Sequence, residues 1–158
     1  MSILPRRGVI VSDINVNSQL RLLELRREVE RLLARSAARR ATPEARKRFE
    51  GLADEFEKSA RRNDDIAFMR VDRAFNELCL TAARNEFTVS AMGLTQSLSR
   101  RFWYHHYKQA PDMPETAKLH SDIARAIAAG DEDAAASATD RLIDKIEAFT
   151  RATVNIDF

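Results

Sequence analysis

From Asn17 or Ser18 onward, apolar residues recur every three or four positions with charged and polar residues between them. That is the spacing of helices that bury one face. Leu22, Leu25, Val29, Leu32 or Leu33, and Ser36 mark a first helix ending at about Arg40. Thr42-Pro43 offers an N-cap with proline at the first helical position, opening a second helix that carries Phe49, Leu52, Phe56 and Ala60 to about Arg62. Asn63 and Asp64 can cap a third, whose stripe of Phe68, Val71, Phe75, Leu78 and Ala82 ends near Arg84-Asn85. The fourth, from about Phe87 to Gln109, is apolar on two sides. Ala91, Leu94, Leu98 and Phe102 lie on one, and Val89, Met92, Trp103 and Tyr107 on the other. Such a helix is either central to a bundle or shared between a core and a partner chain. Prolines at 111 and 114 break the pattern before a fifth helix with Leu119, Ile123, Ala126 and Ile127 inward. Ala129-Gly130-Asp131 reads as a helix terminator followed by a new N-cap. A sixth helix then carries Ala135, Ala138, Leu142, Ile146 and Phe149 and frays from Asn155. Six helices on short connections predict an all-α antiparallel bundle.

Residues 1–17 read differently from residues 18–158. Leu4-Pro5-Arg6-Arg7-Gly8 followed by Val9-Ile10-Val11 is a tight basic turn entering a short strand, a shape that can lie against a phosphate backbone. The whole chain, 158 residues, suits one domain with a substantial core, and its few glycines and prolines favour helix over sheet. Cys79 is the one cysteine, which excludes a disulfide framework and suits a reducing cytoplasm. No apolar run reaches membrane-spanning length, and residues 1–10 lack the apolar core of a signal peptide. The net charge of +2 hides an asymmetry: residues 1–62 hold 15 Lys/Arg against 9 Asp/Glu, and the remainder 11 against 15. Arginines at helical spacing among glutamates, as in Glu24-Leu25-Arg26-Arg27-Glu28, are read as a solvated face.

Candidate chemistry gathers on the shoulders of two stripes. Asp72 stands beside Phe68 and Cys79, with Asn76 one helical turn on, so both side chains point the same way and can share one ligand. A carboxylate so close to an apolar face is costly unless paired, and a salt bridge at the core edge serves equally well. His120 holds the corresponding shoulder of the fifth helix. Arg101 and His105, four apart among Leu94, Leu98 and Phe102, either look into an interior pocket or lie at the surface with the other face as core.

Three landmarks in order resemble a known family. They are Glu24-Leu25-Arg26-Arg27-Glu28-Val29-Glu30 with Ala37-Ala38 and Arg40-Ala41-Thr42; Asp72-Arg73-Ala74-Phe75 with Ala82 and Asn85; and Leu119-His120 with Ile123, Ala126-Ile127 and Gly130-Asp131. Together, from about Gln19 to Phe149, they resemble the C-terminal ligand-sensing (FCD) domain of FadR-type GntR transcription regulators. Leu4 to Val11 is similar to the end of the wing that closes the winged-helix domain of these proteins, with a linker after it.

The resemblance implies a homodimeric, cytoplasmic, non-enzymatic domain that binds a small carboxylate or acyl effector inside the bundle. It implies Asp72, Asn76 and His120 on the effector and an arginine facing the cavity for a carboxylate; the helical wheel makes Arg101 the first candidate, with His105 nearby, and the family landmark makes Arg26 the second. DNA would be reached through a winged-helix domain missing from this chain, with Arg6 and Arg7 as a remnant giving only salt-sensitive contact. Many members hold a divalent metal on one Asp and three His. Here Asp72 and His120 match two of those positions, while Asn76 and Leu142 stand at the others, so the expectation is a weakly held zinc or nickel ion or, more readily, none. Two other readings are a structural dimerisation bundle whose pocket has decayed, and a metal-dependent enzyme using Asp72, His120 and His105 around a water.

Overall fold

The computed structural model describes residues 2–4, 8–10, 15–106 and 112–153. Arg6, Arg7 and Tyr107 lie outside the described residues. The helices are α1 (Val16–Arg40), α2 (Pro43–Arg62), α3 (Asp65–Ala83), α4 (Glu86–His106), α5 (Met113–Ala128) and α6 (Glu132–Thr153), preceded by two short strands, β1 (Ser2–Leu4) and β2 (Gly8–Ile10). The strands pair antiparallel, with Ser2 opposite Ile10 and Leu4 opposite Gly8. The architecture is the all-α bundle that the helical periodicity predicts.

Capping sets most helix ends. Asn15, Thr42, Asp64 and Asp112 each accept a backbone N–H from three residues on, at 2.8–3.1 Å, replacing bonds that a helix start otherwise lacks. Asn63 and Arg84 close α2 and α3 in the left-handed region, at φ 49° and 52°. Gly130 does the same after α5 at φ 70°, and Asp131 Oδ1 then accepts the Ala134 N–H at 3.0 Å to start α6. A methyl group on Gly130 would lie 2.7 Å from Arg46 Nη1. That guanidinium is committed, donating to the carbonyls of Ile127 at 3.0 Å and Ala38 at 2.9 Å, so one side chain of α2 ties down the ends of α5 and α1.

In the core, α2 lies against α5, α1 against α6, and α3 against α1 and α2. Small side chains at the crossings (Ala37, Ala53, Ala83, Ala117, Ala124 and Ala135 are fully buried) let the helices approach closely, and aromatic rings fill the space between. Phe56, fully buried, meets Phe75 edge-on at 5.7 Å, and Phe49 meets it at 6.1 Å. Each such ring contributes about 1.5–3 kcal/mol relative to exposure. Helix α4 leans chiefly on α1.

Two inward faces differ from the hydrophobic pattern. On α1, Leu25 and Leu32 are exposed, and the buried face is Gln19, Leu23, Leu33, Ala34, Ser36, Ala37 and Ala38. Small and polar residues carry that face, so a wheel drawn through the leucines is rotated. On α4, Val89 and Leu94 are exposed, while Thr88, Met92, Thr95, Phe102 and His106 are buried. The charge asymmetry also finds its use inside the bundle. Arg27 reaches Asp140 at 3.0 Å and Asp144 at 2.6 Å, Arg31 reaches Asp140 at 3.3 Å, and Arg39 reaches Glu132 at 3.1 Å, so the basic face of α1 pairs with acidic α6.

Candidate ligand-binding site

A cavity of about 490 Å³ opens among α1, α3, α4, α5 and α6. Its size is that of sites for small organic molecules. The wall carries Asp72 and Asn76 from α3, His120 from α5, Arg26 and Glu30 from α1, and Leu142, Ile146 and Phe149 from α6.

His120 is held from two sides. Its Nδ1 lies 2.8 Å from the Thr116 carbonyl oxygen and its Nε2 3.1 Å from Asp72 Oδ1. Both partners only accept, so the ring satisfies both only with a proton on each nitrogen. Phe56, Phe68 and Phe75 surround it with ring centroids 5.1, 5.4 and 6.1 Å away. Burial works against the imidazolium, but the Asp72 bond and charge, the Thr116 carbonyl and the Glu30 charge together outweigh it and raise the pKa above the ordinary value. Asn76 Nδ2 donates to the Asp72 carbonyl at 3.0 Å and to Oδ1 at 3.3 Å. The four-residue spacing thus makes Asp72 and Asn76 partners of each other. Arg26 Nε donates to Glu30 Oε2 at 2.7 Å, with the two side chains only 13% and 14% exposed, so this charge is also internally matched. Burial, with the charges of Glu30 and Asp72, pushes the Cys79 thiol well up, leaving it protonated and inert.

Of the residues singled out from the sequence, the fold brings Asp72, Asn76, His120, Arg26 and Leu142 to one cavity. Arg101 and His105 are not there. Both are exposed on the outer side of α4, whose cavity face is Met92, Gln96, Ser99, Arg100, Phe102 and Trp103. Of the two phases open for α4, the surface reading of Arg101 and His105 is the one that holds. One position separates Arg101 from Arg100, and about 100° of helix separates their directions. Arg70, Arg100, Ser99 and Gln96 line the cavity without having been singled out. The phase marked by Met92 and Trp103 was the signal for those on α4.

A family model for the FCD domain matches residues 21–145. The chain belongs to the FCD family. FCD domains are the ligand-sensing parts of GntR-type regulators and not a catalytic family. No curated protein gives a match to the chain. All three landmarks of this FCD domain reach the cavity, through Arg26 and Glu30, through Asp72 and Phe75, and through His120.

The donors present do not fit a tightly bound divalent metal. Leu142 has no lone pair to offer, the amide oxygen of Asn76 is a poor substitute for an imidazole nitrogen, and Asp72 Oδ1 and His120 Nε2 are spent on each other at 3.1 Å. Among the described residues no cluster of three His, Cys, Asp or Glu is placed to hold an ion. With His105 outside the cavity, the set of Asp72, His120 and His105 is not assembled around a water either. No helix among the described residues is long and apolar enough to cross a membrane.

Proposed function

We propose that this chain is the effector-sensing and dimerising domain of a GntR/FadR-type transcription regulator. It takes a small carboxylate or acyl ligand into the cavity between α1, α3, α4, α5 and α6. The observation that carries this reading is a 490 Å³ cavity, walled by all three family landmarks, inside an FCD bundle. A ligand there favours one placement of the paired domains, and so shifts the affinity of DNA-binding domains carried elsewhere in the protein. Residues 1–17 are then the end of a wing and its linker, with Arg6 and Arg7 adding salt-sensitive attraction to DNA. The site works without a resident metal, does no chemistry on its ligand, and belongs to a cytoplasmic protein.

The test is a native mass spectrum of the purified chain, followed by thermal unfolding against a panel of carboxylates and acyl compounds. A dimer is expected, with one ligand class raising the midpoint; at 100 times its Kd a ligand adds about 2.7 kcal/mol of stability. A panel without any shift refutes the sensing role and leaves a structural bundle. A monomer refutes the pairing, and a bound divalent metal in the native spectrum refutes the metal-free reading.

A further inference from the structure

The charges around this cavity are unevenly satisfied. Deep in the wall, Arg26 is matched by Glu30 at 2.7 Å and His120 by Asp72 at 3.1 Å. Thr116, Thr139 and Thr150 spend their hydroxyls on carbonyls of their own helices at 2.8–3.1 Å. At the rim the balance is different. Arg70 on α3 and Arg100 on α4 are exposed and line the same cavity, and among the described residues neither has an ion pair. Beside Arg100, Ser99 Oγ is buried and without a hydrogen-bond partner among the described residues. Left so, a buried hydroxyl is costly, and a ligand that bonds it would recover that cost.

The interior between α4 and α6 is apolar: Trp103 lies 5.6 Å from Phe149, Phe102 lies 6.4 Å from it, and Leu142 and Ile146 continue the wall. At ~30 Å³ for each water-sized group, the 490 Å³ holds roughly 16 of them, far more than a two- to four-carbon acid occupies.

We propose that the ligand is an anionic amphiphile: a monocarboxylate with an apolar body of about ten carbons, bound head outward. Arg100 and Arg70 clamp its carboxylate at the mouth, Ser99 donates a hydrogen bond, and the tail runs inward along Trp103 and Phe149. This rests on the cavity being the effector pocket. It also gives the ligand a task, because α4 leans on α1 and much less on α3. A carboxylate shared by Arg70 and Arg100 ties α3 to α4.

Trp103 is the one tryptophan and lines the cavity, so its fluorescence reports occupancy. The 158-residue chain is titrated with decanoate and with decan-1-ol, which keeps the tail and removes the charge. In R70Q/R100Q the Kd for decanoate should rise on the order of tenfold, while that for decanol stays within about twofold. S99A should weaken decanoate about threefold without lowering the unfolding midpoint. Unchanged decanoate affinity in R70Q/R100Q overturns the clamp, as does equal weakening of acid and alcohol. Selective loss of decanoate in R26Q instead places the carboxylate deep and also overturns it. Succinate or lactate binding more tightly than decanoate refutes the amphiphile but keeps the pocket. Absence of binding by either decanoate or decanol refutes the amphiphile, while the carboxylate and acyl panel separately decides the sensing role.

Discussion

Replacing Asp72 by asparagine tests the account of the buried histidine, because it should invert the pH dependence of stability. In the wild type the folded pKa of His120 is raised, although burial opposes this, because Asp72, the Thr116 carbonyl and Glu30 favour the charged ring. A raised folded pKa means that the native state binds the proton more tightly than the unfolded chain. The stabilisation is therefore fully present below the unfolded value of about 6.5 and is lost as pH rises through the folded pKa. The Asp72→Asn substitution removes the charge but leaves a group able to donate to Nε2, so the ring can stay neutral and keep Nδ1–H on Thr116. Burial then prevails, the folded pKa falls below the unfolded one, and stability drops as pH is lowered. A charge-assisted bond contributes about 1.5–3 kcal/mol. The Asp72 side chain is 36% exposed, so water screens part of that. The expected loss is about 1–2 kcal/mol at pH 5.5 and under about 0.5 at pH 8.5. Urea unfolding at the two pH values measures it, and the His120 ring signals in NMR follow the pKa directly. Equal losses at both pH values, or a His120 titration unmoved by the substitution, would refute the reasoning.

Phe56→Ala removes a fully buried ring that touches Phe68, Phe75 and His120, and should cost about 3–5 kcal/mol by urea unfolding; a loss below about 1 kcal/mol would contradict the packing. Arg84→Gly relieves a side chain from the left-handed region at φ 52° and should raise stability by about 0.5–1 kcal/mol; destabilisation would mean that Arg84 makes a stabilising contact. The double variant N76H/L142H puts two imidazoles on the wall that already holds Asp72 and His120. Calorimetry should then detect zinc binding tighter than that of the unaltered chain, and no gain would show that identity of the donors alone does not build the site.

Most helix ends were legible because their caps are chemically explicit: Thr42 before Pro43, Asp64, and Gly130 before Asp131. The faces of α2 and α3 were legible too, since Phe49, Leu52 and Phe56, and then Phe68, Val71 and Phe75, leave one orientation that buries them all. On α1, Leu33 and Ser36 are buried as the spacing predicts, but Gln19, Ala34, Ala37 and Ala38, which hydropathy scores as unremarkable, carry much of that face, while Leu25 and Leu32 lie outside it. On α4, Thr88 and Thr95 are buried because their hydroxyls return to the carbonyls of Asn85 and Ala91, at 2.6 and 3.1 Å, and a polar label conceals that. Asp72 and His120 were visible as shoulder residues, but their meeting depends on how α3 and α5 cross. The rim arginines were invisible, because an exposed arginine beside a cavity and one on open surface read alike.

Arg46 and Gly130 form a single unit of inheritance. With the guanidinium 2.7 Å from where a side chain at 130 would begin, neither position is free to drift alone. A lineage that acquires any other residue at 130 must first retract the arginine, and with it the bonds to Ile127 and Ala38 that hold two helix ends. Across diverged relatives the two positions should change together or not at all, and an engineered graft of α5 and α6 from another bundle should carry its own residue for position 46.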